Sequence, residues 1–281
     1  METFPLTPLD HDPDTEVVMA QPTLQGTLLT VTREGDRLVL RDDDRRVELT
    51  GRLATARECD RIGDSYLLLV DEERGRNACV VDANGAVESE FSLGSHCGAL
   101  AVDADRRVWG GYLGWAIPWE HPAGADATGR TGVEYWHPGV VRWDEHGEFH
   151  WVAAVDSGVP VGACYALDTG PHGVIAVTDA DEPVLLLDAR GRRCGFGSGL
   201  VGPSAVAYDG RTATCVGRYK PVPRGEKRRG HDVVTRLDMV TGDLVEVGAL
   251  VMPDGGPVPE LRRDYGRGTT VTVVLGRPRR A

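Results

Sequence analysis

A short strand rich in Val and Leu, running into an aspartate, turning tightly and returning as a more polar strand, recurs along this chain and restricts it to a repeat architecture. Leu38-Val39-Leu40 runs into Asp42, Val80-Val81 into Asp82-Ala83-Asn84-Gly85, and Val141-Arg142-Trp143 into Asp144-Glu145-His146-Gly147. Leu185-Leu186-Leu187 runs into Asp188-Ala189-Arg190-Gly191, and Val234-Thr235-Arg236-Leu237 into Asp238 ahead of Thr241-Gly242. These aspartates are spaced by 40, 62, 44 and 50 residues, which gives a unit near 40 to 45 with two longer members. Asp-x-x-Gly suits a strand reversal, because the carboxylate caps the turn's own amides while glycine accepts positive φ.

A second hairpin sits upstream of each such turn. Ala99 to Val102 turns at Asp103-Ala104-Asp105 into Arg107-Val108-Trp109, and Tyr165 to Leu167 turns at Asp168 to His172 into Val174 to Val177. Helical spacing of apolar residues is nearly absent. Four strands per unit make the chain all-β and each unit a propeller blade, whose faces are covered by its neighbours. Complete blades are expected at 15–50, 53–91, 98–153, 163–196 and 203–249. The tail, with its strand Thr270 to Leu275, is expected to supply a sixth, completed by N-terminal residues, with five or seven blades left open. The whole of 1–281 then forms one domain.

Composition narrows the setting. Against 31 basic side chains stand 43 acidic ones, a net charge of -12 spread along the chain, so nucleic acid and anionic membrane are not expected partners. No apolar run reaches the roughly 18 residues of a membrane helix, and the start lacks a basic-then-apolar leader. A soluble, cytoplasmic monomer is expected. Cys59, Cys79, Cys97, Cys164, Cys194 and Cys215 are scattered without a C-x-x-C pair, as reduced buried thiols would be.

The stretch Gly98-Ala99-Leu100-Ala101-Val102-Asp103 to Trp109-Gly110-Gly111-Tyr112, with Gly139-Val140-Val141-Arg142-Trp143-Asp144 and Cys164-Tyr165-Ala166-Leu167, resembles a group of uncharacterised bacterial β-propeller proteins. These are distantly similar to WD40 and NHL-type propellers. Trp143-Asp144 sits where a WD40 repeat ends its third strand, and Ser95-His96 roughly where it has Gly-His. The resemblance covers 98 to 195 and implies fold rather than activity. Where that group has an acidic pair after the Tyr and an Asp before the Cys-Tyr, this chain has Leu113-Gly114 and Ala163, a departure that puts any carboxylate-dependent site of that group in doubt here.

The two long spacings mark insertions at 113–138 in the third blade and 218–230 in the fifth. Both fall between second and third strands, and are expected on the rim that carries His96. All six tryptophans lie between 109 and 151, and the first insertion contains Trp115, Trp119, His121, Tyr135, Trp136 and His137. Three readings stand: the aromatics pack on their own blade, they line a recognition surface, or His121, His137 and Glu134 hold a divalent metal, the only cofactor the sequence suggests. The second insertion carries six positive charges and one negative, including both lysines of the chain. Arg224, Lys227, Arg228 and Arg229 would form a charged rim for an anionic group, or a solvated loop without a partner.

No G-x-S-x-G, H-E-x-x-H or phosphate-binding glycine loop is present. Two functions follow: a non-catalytic recognition or scaffold propeller binding a protein, peptide or small anionic ligand, or a metal-assisted hydrolase, lactonase or lyase with its site at the channel mouth. Three or more convergent His, Asp or Glu side chains around the axis would favour the enzyme.

Overall fold

Strands that are apolar on consecutive residues, not on alternate ones, signal a sheet covered on both faces. Tyr66, Leu67, Leu68, Leu69 and Val70 are all fully buried. Tyr66, Leu68 and Val70 pack with Met19, Leu29 and Leu40 on one side, while Leu67 and Leu69 pack with Leu100, Val102 and Val108 on the other. The computed structural model that shows this describes residues 2–5, 7–8, 15–113, 139–153, 161–179, 183–187, 193–196, 202–217, 232–259 and 261–275.

Five antiparallel four-stranded blades follow in sequence order. Blade one is β2 (Glu16–Pro22), β3 (Leu28–Glu34), β4 (Arg37–Asp42) and β5 (Arg45–Leu49). After a single 3-10 turn at Gly51–Thr55, blade two is β6 (Glu58–Ile62), β7 (Ser65–Glu73), β8 (Arg76–Val81) and β9 (Val87–Phe91). Blade three is β10 (Cys97–Val102), β11 (Val108–Tyr112), β12 (Val140–Trp143) and β13 (Phe149–Val152). Blade four is β14 (Cys164–Gly170), β15 (Gly173–Thr178), β16 (Val184–Leu187) and β17 (Arg193–Phe196). Blade five is β18 (Ala205–Tyr208), β19 (Thr212–Val216), β20 (Val233–Asp238) and β21 (Leu244–Val251). An apolar cluster fills each successive blade interface. No helix among the described residues is long and apolar enough to cross a membrane.

The expected aspartate turns form at Asp82, Asp144 and Asp238, where Oδ1 accepts two turn amides each. Asp188 lies outside the described residues. Asp42 departs from the pattern. Its side chain is buried and accepts from the Thr27 and Tyr66 hydroxyls, at 3.2 Å each, so it ties blade one to blade two. Asp168 does not open a turn either; it lies within β14, and the turn falls beyond Gly170. Cys59, Cys79, Cys97, Cys164 and Cys215 are free and buried, while the Cys194 side chain is outside the description.

Among the described residues five four-stranded blades are present, and the sixth that the tail was expected to supply is not among them. The described residues of the tail form a hairpin, β22 (Leu261–Arg267) with β23 (Thr270–Leu275), lodged between inner strands β18 and β2. The N-terminal strand β1 (Glu2–Pro5) does not complete it. Instead β1 pairs in parallel with the outer edge of β21, from Glu2 opposite Gly248 to Pro5 opposite Val251. Val271 and Val273 of β23 and Phe4 of β1 pack on the same cluster of Ala205, Val216, Val234 and Leu250, so both chain ends fasten onto blade five.

The hairpin sits so close to blade five that a Cβ on Gly266 would lie 1.9 Å from the Val206 carbonyl oxygen. Gly266→Ala is therefore expected to lower unfolding free energy by about 3 kcal/mol or more, read from the urea midpoint. Gly268, at φ +57° with open space around it, should lose only about 1 kcal/mol on the same change. Equal costs at the two positions would refute this placement of the hairpin.

Candidate functional site

Of the residues expected to bind, the described structure contains only His96. It sits between β9 and β10 at φ 60°, and its carbonyl accepts the Leu113 amide at 3.3 Å. Trp115, Trp119, His121, Glu134, Tyr135, Trp136 and His137 lie outside the described residues, as do Arg224, Lys227, Arg228 and Arg229. The points where the two insertions leave the blades are well defined. Tyr112 N donates to Gly139 O at 2.8 Å, and Gly217 N to Val233 O at 2.9 Å. Each exit lies beside the start of its blade's inner strand, since Cys97 pairs with Tyr112 and Ala205 with Val216. The inner strands run the same way, so both exits open on one rim.

Three of the six tryptophans belong to blade packing. Trp109 is fully buried, meets Trp151 edge-on with centroids 5.8 Å apart, and donates its indole N–H to Asp103 Oδ2 at 2.9 Å. Trp143 packs edge-on against Phe149. Burial pushes the Cys97, Cys164 and Cys215 thiols up to about 12, which leaves them protonated and poor nucleophiles.

The C-terminal ends of β10, β14, β18 and β22 converge on the axis at the opposite rim, and an ionic cluster that the sequence reading missed lies there. Arg267, from the end of β22, is 5% exposed and reaches across the ring. Its Nη2 lies 2.7 Å from Asp60 Oδ2 of blade two, and Nη1 is 3.5 Å from the Val102 carbonyl of blade three. Its Nε lies 3.6 Å from Asp168 Oδ1 of blade four. Asp60 Oδ2 also accepts Val102 N, and Asp168 Oδ2 accepts Tyr208 N of blade five and Gly268 N of the hairpin. Thr169 Oγ1 donates to the Val102 carbonyl at 2.8 Å. The Gln21 amide of blade one, turned so that its nitrogen donates to Cys59 O, accepts from Arg267 Nη2 at 3.2 Å. Every sector of the ring therefore contributes to one buried point.

One guanidinium faces two carboxyls that are both essentially inaccessible. Burial pushes both carboxyls up, opposed chiefly by Arg267; Asp168 reaches about 7. Asp60 accepts from the guanidinium at 2.7 Å and from two backbone amides, whereas Asp168 Oδ1 and Arg267 Nε have no hydrogen-bond partner. Geometry thus assigns the negative charge to Asp60 and the proton to Asp168.

A second polar feature lies on the turns of blade three. Asp105, Arg106, Arg107, Arg142, Asp144, Glu145, His146 and His150 line a cleft of about 280 Å³. Its charges are largely matched in place, Arg106 with Glu145 at 2.6 Å and Arg107 with Asp105 at 2.9 Å. Ligand atoms of Asp144, Glu148 and His150 come within 4.8 Å of one another, though Asp144 Oδ1 already caps its turn.

No protein-family model and no curated protein matches this chain. Among solved structures it is similar to virginiamycin B lyase from Staphylococcus aureus, with a TM-score of 0.55, 12% identity, and coverage of 95% of this chain and 80% of that one. It is also similar to the Cps50 (Swd1) β-propeller domain of Myceliophteria thermophila, at a TM-score of 0.53, 13% identity and coverage of 92% and 79%. Hsv2 from Kluyveromyces lactis matches at 0.50 and 7% identity, over 86% of this chain and 69% of that one. These neighbours are bacterial and eukaryotic β-propeller proteins, in line with the expected WD40-like architecture, and at these identities the likeness extends to the fold alone.

The axial cluster generates a pH dependence of defined sign. The folded state raises the Asp168 pKa, so it holds a proton that the unfolded chain releases above the ordinary carboxylate range. The contribution is fully present below about pH 4 and is lost as pH rises through about 7. Asp168→Asn should flatten that part of the urea-midpoint profile between pH 5 and 8. Asp60→Asn should cost about 3 kcal/mol or more throughout, because it leaves Arg267 buried without its anion. A wild-type profile that climbs through pH 7 relative to Asp168→Asn would contradict the assignment.

Proposed function

We propose that this protein is a non-catalytic recognition propeller that binds an acidic peptide, protein segment or small anionic ligand on the rim from which residues 113–138 and 218–230 leave the blades. The observation that carries this reading is the axial cluster. In a propeller enzyme, side chains from different blades converge at the channel mouth to act on a substrate. Here the converging side chains are Asp60, Asp168 and Arg267, and they engage one another and backbone amides. Among the described residues two carboxyls converge on the axis, and neither offers an open face.

The shared exit rim supports the recognition reading further. Both long connections start from anchors held by backbone hydrogen bonds, and His96 lies on the same rim. Aromatic side chains from the first connection would supply contact area at low entropic cost, and the arginines of the second would select anionic groups. The fold class accommodates both binding proteins and a lyase, so the division rests on the axis and not on the likeness to either.

Affinity capture from the native host tests the proposal. Wild type is compared with a protein in which residues 116–135 are replaced by a short Gly-Ser turn, with an unchanged thermal midpoint as the control for folding. Loss of a specific partner, together with at least about tenfold weaker binding of that purified partner, is expected. An unchanged set of captured proteins would overturn the assignment of the rim.

A further inference from the structure

The outer edge of blade five differs from those of blades one and two. In blades one and two the outermost strands carry charges, Arg45, Arg46 and Glu48 on β5 and Glu88 and Glu90 on β9, which discourage strand addition. On β21 the sequence Leu244-Val245-Glu246-Val247 offers one charge in four residues. Val240, Leu244 and Val245 are 76%, 45% and 59% exposed, and they make up three of the five large apolar side chains exposed among the described residues. The same edge already accepts an extra strand, because β1 pairs with its second half from Gly248 to Val251. Among the described residues, no strand pairs with its first half.

We infer that Leu244–Val247 of β21, with Val240, is an acceptor edge for an extended strand of a partner protein, one with apolar residues at alternate positions and basic residues flanking them. The backbone groups along the edge supply the hydrogen bonds of a fifth-strand ladder beside the one that β1 makes, on either side of the bulge at Val245 where β21 shifts register against β20. Val240, Leu244 and Val245 supply apolar contact that water now covers. Exposed Asp243, on a chain of net charge -12, favours a cationic partner over an acidic one. The surface is separate from the rim of the two insertions, and it calls for the opposite partner charge.

A labelled lysine-flanked Val-Thr-Val-Thr-Val peptide is the probe, and the same peptide with proline at its central position is the control, because proline removes a ladder donor. Saturable binding is expected, together with slowed amide exchange confined to residues 244–247. Binding should be about tenfold weaker for Leu244→Lys/Val245→Lys, whose side chains are exposed and whose thermal midpoint should match wild type. Should that variant misfold, the exchange pattern on wild type decides alone. The inference fails if the proline control binds equally, if protection appears elsewhere, or if light scattering shows a concentration-dependent dimer that Val245→Lys abolishes, since the edge would then belong to a second copy. The protein lacking residues 116–135 should bind the peptide normally, which separates this outcome from that of the rim.

Discussion

Arg267, sealed on the axis between Asp60 and Asp168, is the interaction on which closure of the ring depends. Two strands lodged where a blade would stand supply one buried apolar side chain among the described residues, Val274. What distinguishes the hairpin from a frayed tail is that withdrawing it strands charge. Asp60, which carries the negative charge, would lose its cation, and the Val102 carbonyl would lose one of its donors. A buried pair adds little over a well-packed apolar core, but breaking one by removing a partner costs several kcal/mol. The cluster thus makes closure close to all-or-none, with β1 on the far edge of blade five as a second fastening.

The same cluster constrains what the axis can do chemically. A carboxylate acts on a substrate or metal only if an oxygen lone pair faces open space. Asp60 Oδ2 takes both a guanidinium and an amide proton, and Asp60 Oδ1 takes the Arg61 amide. Asp168 Oδ2 takes two amides, and its Oδ1 is enclosed against Arg267. The elevated pKa of Asp168 resembles that of a general acid, yet the group is a by-product of two carboxyls enclosed with one cation.

Five blade boundaries were legible in the sequence because local chemistry sets them: asparagine-like capping by Asp82, Asp144 and Asp238, glycine at the following turn position, and doubly buried apolar strands. The sixth sector was not, since Thr270 to Leu275 reads the same whether or not two further strands follow it. Whether β1 pairs with β21 or β23 is likewise a tertiary choice, which the local sequence of β1 does not encode. Asp60, Asp168 and Arg267 lie far apart in sequence, and each reads alone as an ordinary charge near a turn. A signal was present in Cys59-Asp60-Arg61-Ile62 and Ala166-Leu167-Asp168-Thr169, where an aspartate interrupts a strand whose neighbours are buried. Such a residue implies a buried partner but does not name it.

Direction along the inner strands then separates two duties. Inner strand β10 runs from the exit rim at Cys97 to the axial cluster at Val102, five steps of about 3.3 Å, or about 16 Å. That is about twice the Debye length of roughly 8 Å at physiological ionic strength, so charges on the exit rim act weakly on the cluster even before burial is considered. Insertions between second and third strands can therefore vary in length and charge without disturbing the interaction that closes the ring. The first insertion leaves from a blade whose inner strand supplies only a backbone amide and carbonyl to the cluster, through Val102. The second leaves from one that supplies only an amide, through Tyr208. The blades that contribute the buried carboxyls, two and four, carry neither insertion. Long, chemically distinctive connections thus occur where the axial cluster depends on backbone alone, and the side chains on which it depends belong to blades built without them.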